Sequence, residues 1–321
     1  MYKKFCLVLV LILTVSAAAF GQKDKKDKKK EVPTGTPILW QDPGAIESRN
    51  LIHGAGGEAL RPDISRVTFV RDQMGGGFSI NYRVKDAAGR TWVAKLGKEA
   101  QPETAASRLV WAVGYKTEIN YLIPCLHIEG APEPRYKIAR CEGNGFANVK
   151  LEARPEGVKR LEDPWQWTNN KFTGTKEFQG MLVLMSLLNN WDLKDDNNRV
   201  LSLNGSNGPE LHYIISDLGA TFGKTGGALS HNRNDPGDYE KSGFVKSVEG
   251  GVVKFAYSGK NQGLFKNITV EQAQWIGGLL SRLSDEQIKD AFRAANYSEE
   301  NIAILSRAVR AKIGQLENIR G

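Results

Sequence analysis

Strict alternation marks the first half of this chain. In FSINYRV, residues 78–84, the side chains of Phe78, Ile80, Tyr82 and Val84 fall on one face of an extended strand. RVTFV at 66–70 and RTWVAKLG at 90–97 read the same way. MGGG at 74–77 and KDAAG at 85–89 separate the three, so the pattern predicts a small antiparallel meander with a glycine run at its first turn. YLIPCLHI and FANVKLEARP predict two further strands. Between them and the meander the period changes. Pro102 stands at a favoured first-turn position and Gly114 at a stop, which predicts a helix over ETAASRLVWAVG.

The second half is mostly helical. FQGMLVLMSLL, residues 178–188, is apolar on nearly every side and predicts a buried helix capped by Thr175 and ending at Asn189. Thr269 with Gln272, and Ser284 with Gln287, have capping-box spacing, and Ser298 caps a last helix. RVLSL and LHYIIS predict a hairpin across NGSNGPE, and GVVKFAYSG a further short strand. Residues 31–66 and 161–174, and a polar stretch up to about 242, read as irregular. Strands first and helices later predict an α+β protein in two segregated parts: 36–155 with the sheet and one helix, 156–321 mostly helical.

The N-terminus changes how the charge is read. MYKKFCLVLVLILTVSAAAFGQ has a basic start, a short apolar run and a small-x-small site at Ala19–Gly21, which predicts a signal peptide over 1–21 and export to a periplasmic or extracellular compartment. The run is short for a membrane span, and no later run is long enough to cross. Residues 22–35 carry KDKKDKKK, a disordered basic linker by composition. Of the net charge of +8, Lys3 and Lys4 contribute 2 and residues 23–30 a further 4, so the remainder is nearly neutral. A basic pI is therefore no argument for nucleic acid. Two cysteines follow the signal, Cys125 and Cys141. In an exported chain they are expected to pair, worth roughly 3 kcal/mol for a loop of this size, with two separate buried thiols as the alternative. The four scattered histidines form no metal-ligand pattern, and no GxSxG elbow occurs.

One stretch does not fit a bland loop. Straight after the buried helix comes NNWDLKDDNN, residues 189–198, and after the hairpin comes Asp217 in DLG. An Asp in a loop can accept a hydroxyl proton. An Asn and a second Asp are oxygen donors for Mg²⁺, a hard cation that keeps substrate phosphates as co-ligands. A lysine two residues from the base can neutralise charge on a transferred phosphoryl group. Earlier, Lys95 ends the WVAK strand, and Glu103 shares a helical face with Ala106, Val110 and Val113. A carboxylate on an inward face needs a cation, and Lys95 lies eight residues back.

Together these segments resemble the protein kinase-like superfamily. DLKDDN is similar to the D-L-K-x-x-N catalytic loop of serine/threonine kinases, DLG to D-F-G, and WVAK to the lysine strand, with GGG where a glycine-rich loop would stand. The helix from Glu103, with Leu109 and Gly114 at +6 and +11, is similar to that of the bacterial toxin–antitoxin serine kinases. NNWDLKD and SDLGATFGKTG also resemble segments of a group of exported bacterial proteins. Asn190 and Trp191 replace the usual His-Arg, the glycine spacing differs, no A-P-E follows, and Lys95 and Glu103 are unusually close for a helix preceded by a loop.

The resemblance implies a bilobal kinase-like fold and these roles. Lys95, oriented by Glu103, and the backbone at Gly75, Gly76 and Gly77 would bind nucleotide phosphates. Asp192 would be the base and Lys194 its helper, with Asn197 and Asp217 as metal ligands. Asn198 is the alternative to Asn197, and Asp195 or Asp196 could crowd the metal. The implied cofactors are Mg²⁺ or Mn²⁺ with ATP or another nucleotide, and the implied partner is an acceptor hydroxyl on a protein or small molecule. The competing expectations are a kinase-like module that binds without turnover and an envelope interaction protein.

Overall fold

The computed structural model describes residues 34–73, 79–227 and 230–320. The predicted signal peptide, most of the linker and Gly75, Gly76 and Gly77 lie outside the described residues. A three-residue strand β1 (Thr36–Ile38) comes first, followed by the strands β2 (Thr68–Asp72), β3 (Ile80–Lys85) and β4 (Thr91–Leu96). Helix α1 (Ala100–Ala112) follows, then β5 (Asn120–Leu126) and β6 (Phe146–Ala153). These strands after β1 form one antiparallel sheet in the order β2-β3-β4-β6-β5.

The alternation in the sequence sorts the two faces of this sheet. Ile80, Tyr82, Val84, Trp92, Ala94, Leu96, Val149 and Leu151 pack into one apolar cluster. The segment joining β5 to β6 covers that face: Ile128 and Ile138 join the cluster, and the Tyr82 hydroxyl donates to the Pro132 carbonyl at 3.2 Å. Cys125 and Cys141 do pair, with their Cα atoms 5.7 Å apart, and close this cover onto the strand. On the opposite face, register aligns Asn81, Lys95 and Lys150 in one row and Arg83, Val93 and Glu152 in the next.

The larger core lies beyond α1. It holds α2 (Lys176–Leu187), α4 (Val270–Leu280), α5 (Asp285–Arg293) and α6 (Glu299–Glu317). Thr175 caps α2 through the Phe178 amide, and both predicted capping boxes form, at Thr269/Gln272 and Ser284/Gln287. Ser298 caps α6. The predicted hairpin is β8 (Arg199–Gly205) and β9 (Gly208–Ile214), flanked by β7 (Lys159–Arg160) and by β1, which runs parallel to β9. Leu39, Ile46 and Leu51 also pack into this core. The stretch from 36 to 51 bonds both to the end of α1, where Arg49 donates to the Trp111 carbonyl, and to α5, where Gln287 donates to the Ile46 carbonyl. Two residues of pairing are too short to leave a period, so β7 left no signal. The polar stretch before 242 contains a short helix, α3 (Pro236–Lys241), capped by Asp235, and β10 (Val245–Glu249) pairs with β11 (Val252–Phe255). Among the described residues no helix is long and apolar enough to cross a membrane.

Candidate active site between the sheet and the hairpin

Lys95 leaves β4 on the face opposite Trp92, Ala94 and Leu96, and is only 8 % exposed. Its Nζ lies 2.7 Å from Glu103 Oε2, 3.0 Å from Glu99 Oε2 and 3.1 Å from Asp217 Oδ1. The closeness of Lys95 and Glu103 in sequence is explained by the connection. Gly97 takes a left-handed backbone at φ 101°, which an L side chain rarely adopts, and α1 starts at Ala100. The helix is laid straight back against the strand it follows, and no intervening loop is needed. Burial pushes the Lys95 ammonium down, but Glu103 and Asp217 outweigh it and raise it above the ordinary lysine value.

Glu103 has a second partner that sequence reasoning missed. Lys150, directly opposite Lys95 on β6 and 1 % exposed, sets its Nζ 2.5 Å from Glu103 Oε1 and 2.9 Å from Glu152 Oε2. Arg154 pairs with Glu152 at 2.6 Å. Burial raises the Glu152 carboxyl, but Arg154 and Lys150 hold it well below the ordinary range. The signal was the alternation of 146–153 itself, which puts Lys150 and Glu152 on the same side as Lys95. A charged strand face ordinarily meets solvent, so nothing local marks this one as buried.

From the other side comes the loop after α2. Asn189 turns the chain at φ 55° and its Nδ2 donates to the Gly223 carbonyl at 2.6 Å and to Ser242 Oγ at 2.7 Å. Leu193 is buried in the large core. Trp191 is gripped by the segment after DLG: its ring lies 3.7 Å from that of His231, its Nε1 donates to the Asn232 carbonyl, and the Arg233 guanidinium sits 4.9 Å over it. Thus fixed, the loop turns Asp192 to Lys194, with Oδ2 and Nζ 2.6 Å apart. Asn197 Nδ2 donates to the Asp192 carbonyl at 3.3 Å. Burial lowers the Lys194 ammonium, but Asp192 bonded to it, with Asp217 contributing, raises it on balance.

The competing ligands separate. Asn198 is fully buried, its Oδ1 accepting from the Ser216 amide at 3.3 Å and its Nδ2 having no hydrogen-bond partner among the described residues. Asp195 accepts from the Thr168 amide and hydroxyl, at 3.1 and 2.6 Å. Asp217 itself takes a left-handed backbone, φ 56° and ψ 56°, just past β9. Burial pushes its carboxyl up, but Lys95 outweighs this and holds it below the ordinary value. Residues 122 positions apart thus meet in one ion pair, Lys95 with Asp217, and Glu103 braces it from α1. The fold is α+β, an antiparallel sheet with one helix followed by a mostly helical part.

For a divalent cation the donor chemistry fits. Asn197, whose amide nitrogen donates to the Asp192 carbonyl, offers an amide oxygen, and Asp217 offers a carboxylate. Both are the oxygen ligands a hard cation takes.

No family model matches the chain, and no curated protein matches it. Among solved structures it is similar to the proinflammatory kinase CtkA of Helicobacter pylori, at 14 % identity over 78 % of this chain and 96 % of that one, with a TM-score of 0.47. It is also similar to the Golgi casein kinase solved with Mn/ADP, at 10 % identity, 80 % and 73 % coverage and a TM-score of 0.37. The Rio2 kinase of Chaetomium thermophilum, solved as an ADP/Mg²⁺-phosphoaspartate complex, gives 13 %, 80 %, 74 % and 0.33.

Proposed function

We propose that the chain is an exported phosphotransferase. It binds a nucleotide with a divalent cation between the sheet and the β8–β9 hairpin and passes phosphate to a hydroxyl of a protein or small molecule. The observation that carries this reading is the convergence of Lys95, Glu103 and Asp217, three residues from three elements, beside a loop holding Asp192 and Asn197. Lys95 binds the phosphates and Glu103 fixes its direction. Asp192 accepts the proton of the acceptor hydroxyl as its oxygen bonds to the terminal phosphorus and the bond to the bridging oxygen breaks. Lys194, at the base, offsets negative charge on the phosphoryl group. Asn197 and Asp217 would hold the cation, which when bound neutralises phosphate charge. Export rests on residues 1–21 and agrees with the Cys125–Cys141 bridge.

The test is a melting titration of the chain with ATP and Mg²⁺ or Mn²⁺, with Asp217→Ala alongside. Ligand at a hundred times its dissociation constant stabilises by about 2.7 kcal/mol, several degrees at roughly 2–4 °C per kcal/mol. A metal-dependent shift that the variant loses is the expected result. A shift without phosphoryl transfer to any hydroxyl would reduce the reading to a binding module. No shift at millimolar nucleotide would remove it.

A further inference from the structure

A cavity of about 580 Å³ is lined by Glu99, the partner of Lys95. Neither Lys95, Asp192, Asn197 nor Asp217 lines it; Glu99 is the shared wall. Its volume falls in the range of small-molecule sites, about 300–1,000 Å³. The floor is apolar, made by Leu96, Ile138 and Ala147. The charged residues around it are Lys98, Lys137, Arg233 and the single acid Glu99. Glu99 is already engaged by Lys95 and Arg233. Among the described residues Lys98 and Lys137 have no acidic partner, so the rim carries an unbalanced positive charge.

Two further observations mark the cavity as more than a surface dent. Three of its lining residues, Gly97, Asn148 and Asn234, hold left-handed backbones at φ 101°, 52° and 53°. For the two asparagines such conformations cost energy and collect at functional sites, while Gly97 adopts its own freely. The cavity also lies on the seam between the sheet and the helical part. Around it Arg233 pairs with Glu99, Gln101 Nε2 donates to the Ala295 and Asn296 carbonyls at 3.1 and 3.0 Å, and Asn296 Nδ2 donates to Asn148 Oδ1 at 2.7 Å.

We propose that this cavity is a second ligand site, for a small amphipathic anion whose apolar body lies on Leu96, Ile138 and Ala147 and whose acidic group is met by Lys98 and Lys137. A molecule seated there braces the seam from within. Through Glu99, which touches both Arg233 and Lys95, it holds the phosphate-binding lysine in place. That coupling rests on the phosphotransferase reading; the binding itself does not.

The probe is 8-anilinonaphthalene-1-sulfonate, titrated into the full chain by fluorescence and calorimetry. N-phenyl-1-naphthylamine, the same apolar body without the acid, serves as control. One saturable site is expected, at least tenfold tighter for the sulfonate than for the neutral amine. Lys98→Glu with Lys137→Glu should erase that preference. Ala147→Phe, which fills the floor, should weaken both probes at least tenfold. Ala139→Trp fills the cavity from an exposed wall position, in case the Phe variant fails to melt cooperatively. Unchanged affinity in folded filling variants overturns the site, and equal affinity for both probes overturns its anionic character. With the sulfonate saturating, Mg-ATP should bind at least threefold tighter, and Arg233→Ala should abolish the gain. Absence of Mg-ATP binding would defeat the phosphotransferase reading and leave the probe result standing.

Discussion

Glu103 gives each of its carboxylate oxygens to a different lysine, Lys95 at 2.7 Å and Lys150 at 2.5 Å. With Lys150 in place, the glutamate would stay neutralised if Lys95 turned to a phosphate, as the proposed function requires. Removing the acid leaves Lys95 with Glu99 and Asp217, and Lys150 with Glu152, across paired strands. Glu103→Gln should therefore destabilise by roughly 1–3 kcal/mol, the cost of losing a buried charged hydrogen-bond partner while the other carboxylates still offset the lysines. Lys150→Met and Glu103→Gln combined should be non-additive by about 0.5–3 kcal/mol, as for residues in one network. Chemical denaturation of the two single variants and the double checks both; additivity would mean the two residues act independently. At this scale the sequence was informative where spacing alone brought residues together. Lys95 and Glu103 were legible because a strand end and a helix face eight residues apart leave few alternatives. Asp192, Lys194 and Asn197 sit in one loop and were legible for the same reason. Lys150 and Arg233 were not, because each meets its partner through strand register or a long excursion of chain that no local pattern encodes.

The cover over the outer face of the sheet is an element-scale device. Its residues between β5 and β6 supply Ile128 and Ile138 to the smaller core, and the Cys125–Cys141 bridge ties both of its ends. Reduction, or Cys141→Ser, should lower stability by roughly 3 kcal/mol. The loss should appear first as hydrogen exchange in β5 and β6, with α4 to α6 unaffected; uniform loss of protection would contradict it. Helices with caps and strands with alternation were readable, because the signals are the physical causes of the elements. β1 and β7 were not, since strands of two or three residues exist only through their neighbours. The early stretch around Ile46 and Leu51 shares a core with both α1 and the later helices, and an irregular segment carries no sign of such contacts.

For the molecule as a whole, the larger core hides one more cation. Lys312 on α6 is 3 % exposed, with the Tyr239 ring 4.2 Å away and Ser242 Oγ at 2.9 Å. Asn189 Oδ1 at 3.4 Å completes its polar surroundings. Burial outweighs these contacts and pushes the ammonium down to about 7. An unfolded lysine keeps its proton to about 10.4. Between the two values the unfolded chain binds more protons, so stability rises with pH from about 7 to 10. Lys312→Met should flatten that rise in melts across the interval; an unchanged slope in the variant would place its origin elsewhere.

The three-residue joint between β4 and α1 bears on how such a molecule moves. A helix on a long tether can swing away from its sheet and return, switching its glutamate in and out. Here Gly97, Lys98 and Glu99 leave no slack, and Glu103 is tied to two adjacent strands at once. The helix and sheet therefore travel as one rigid body. Control by rotation of that helix alone is not open to this chain.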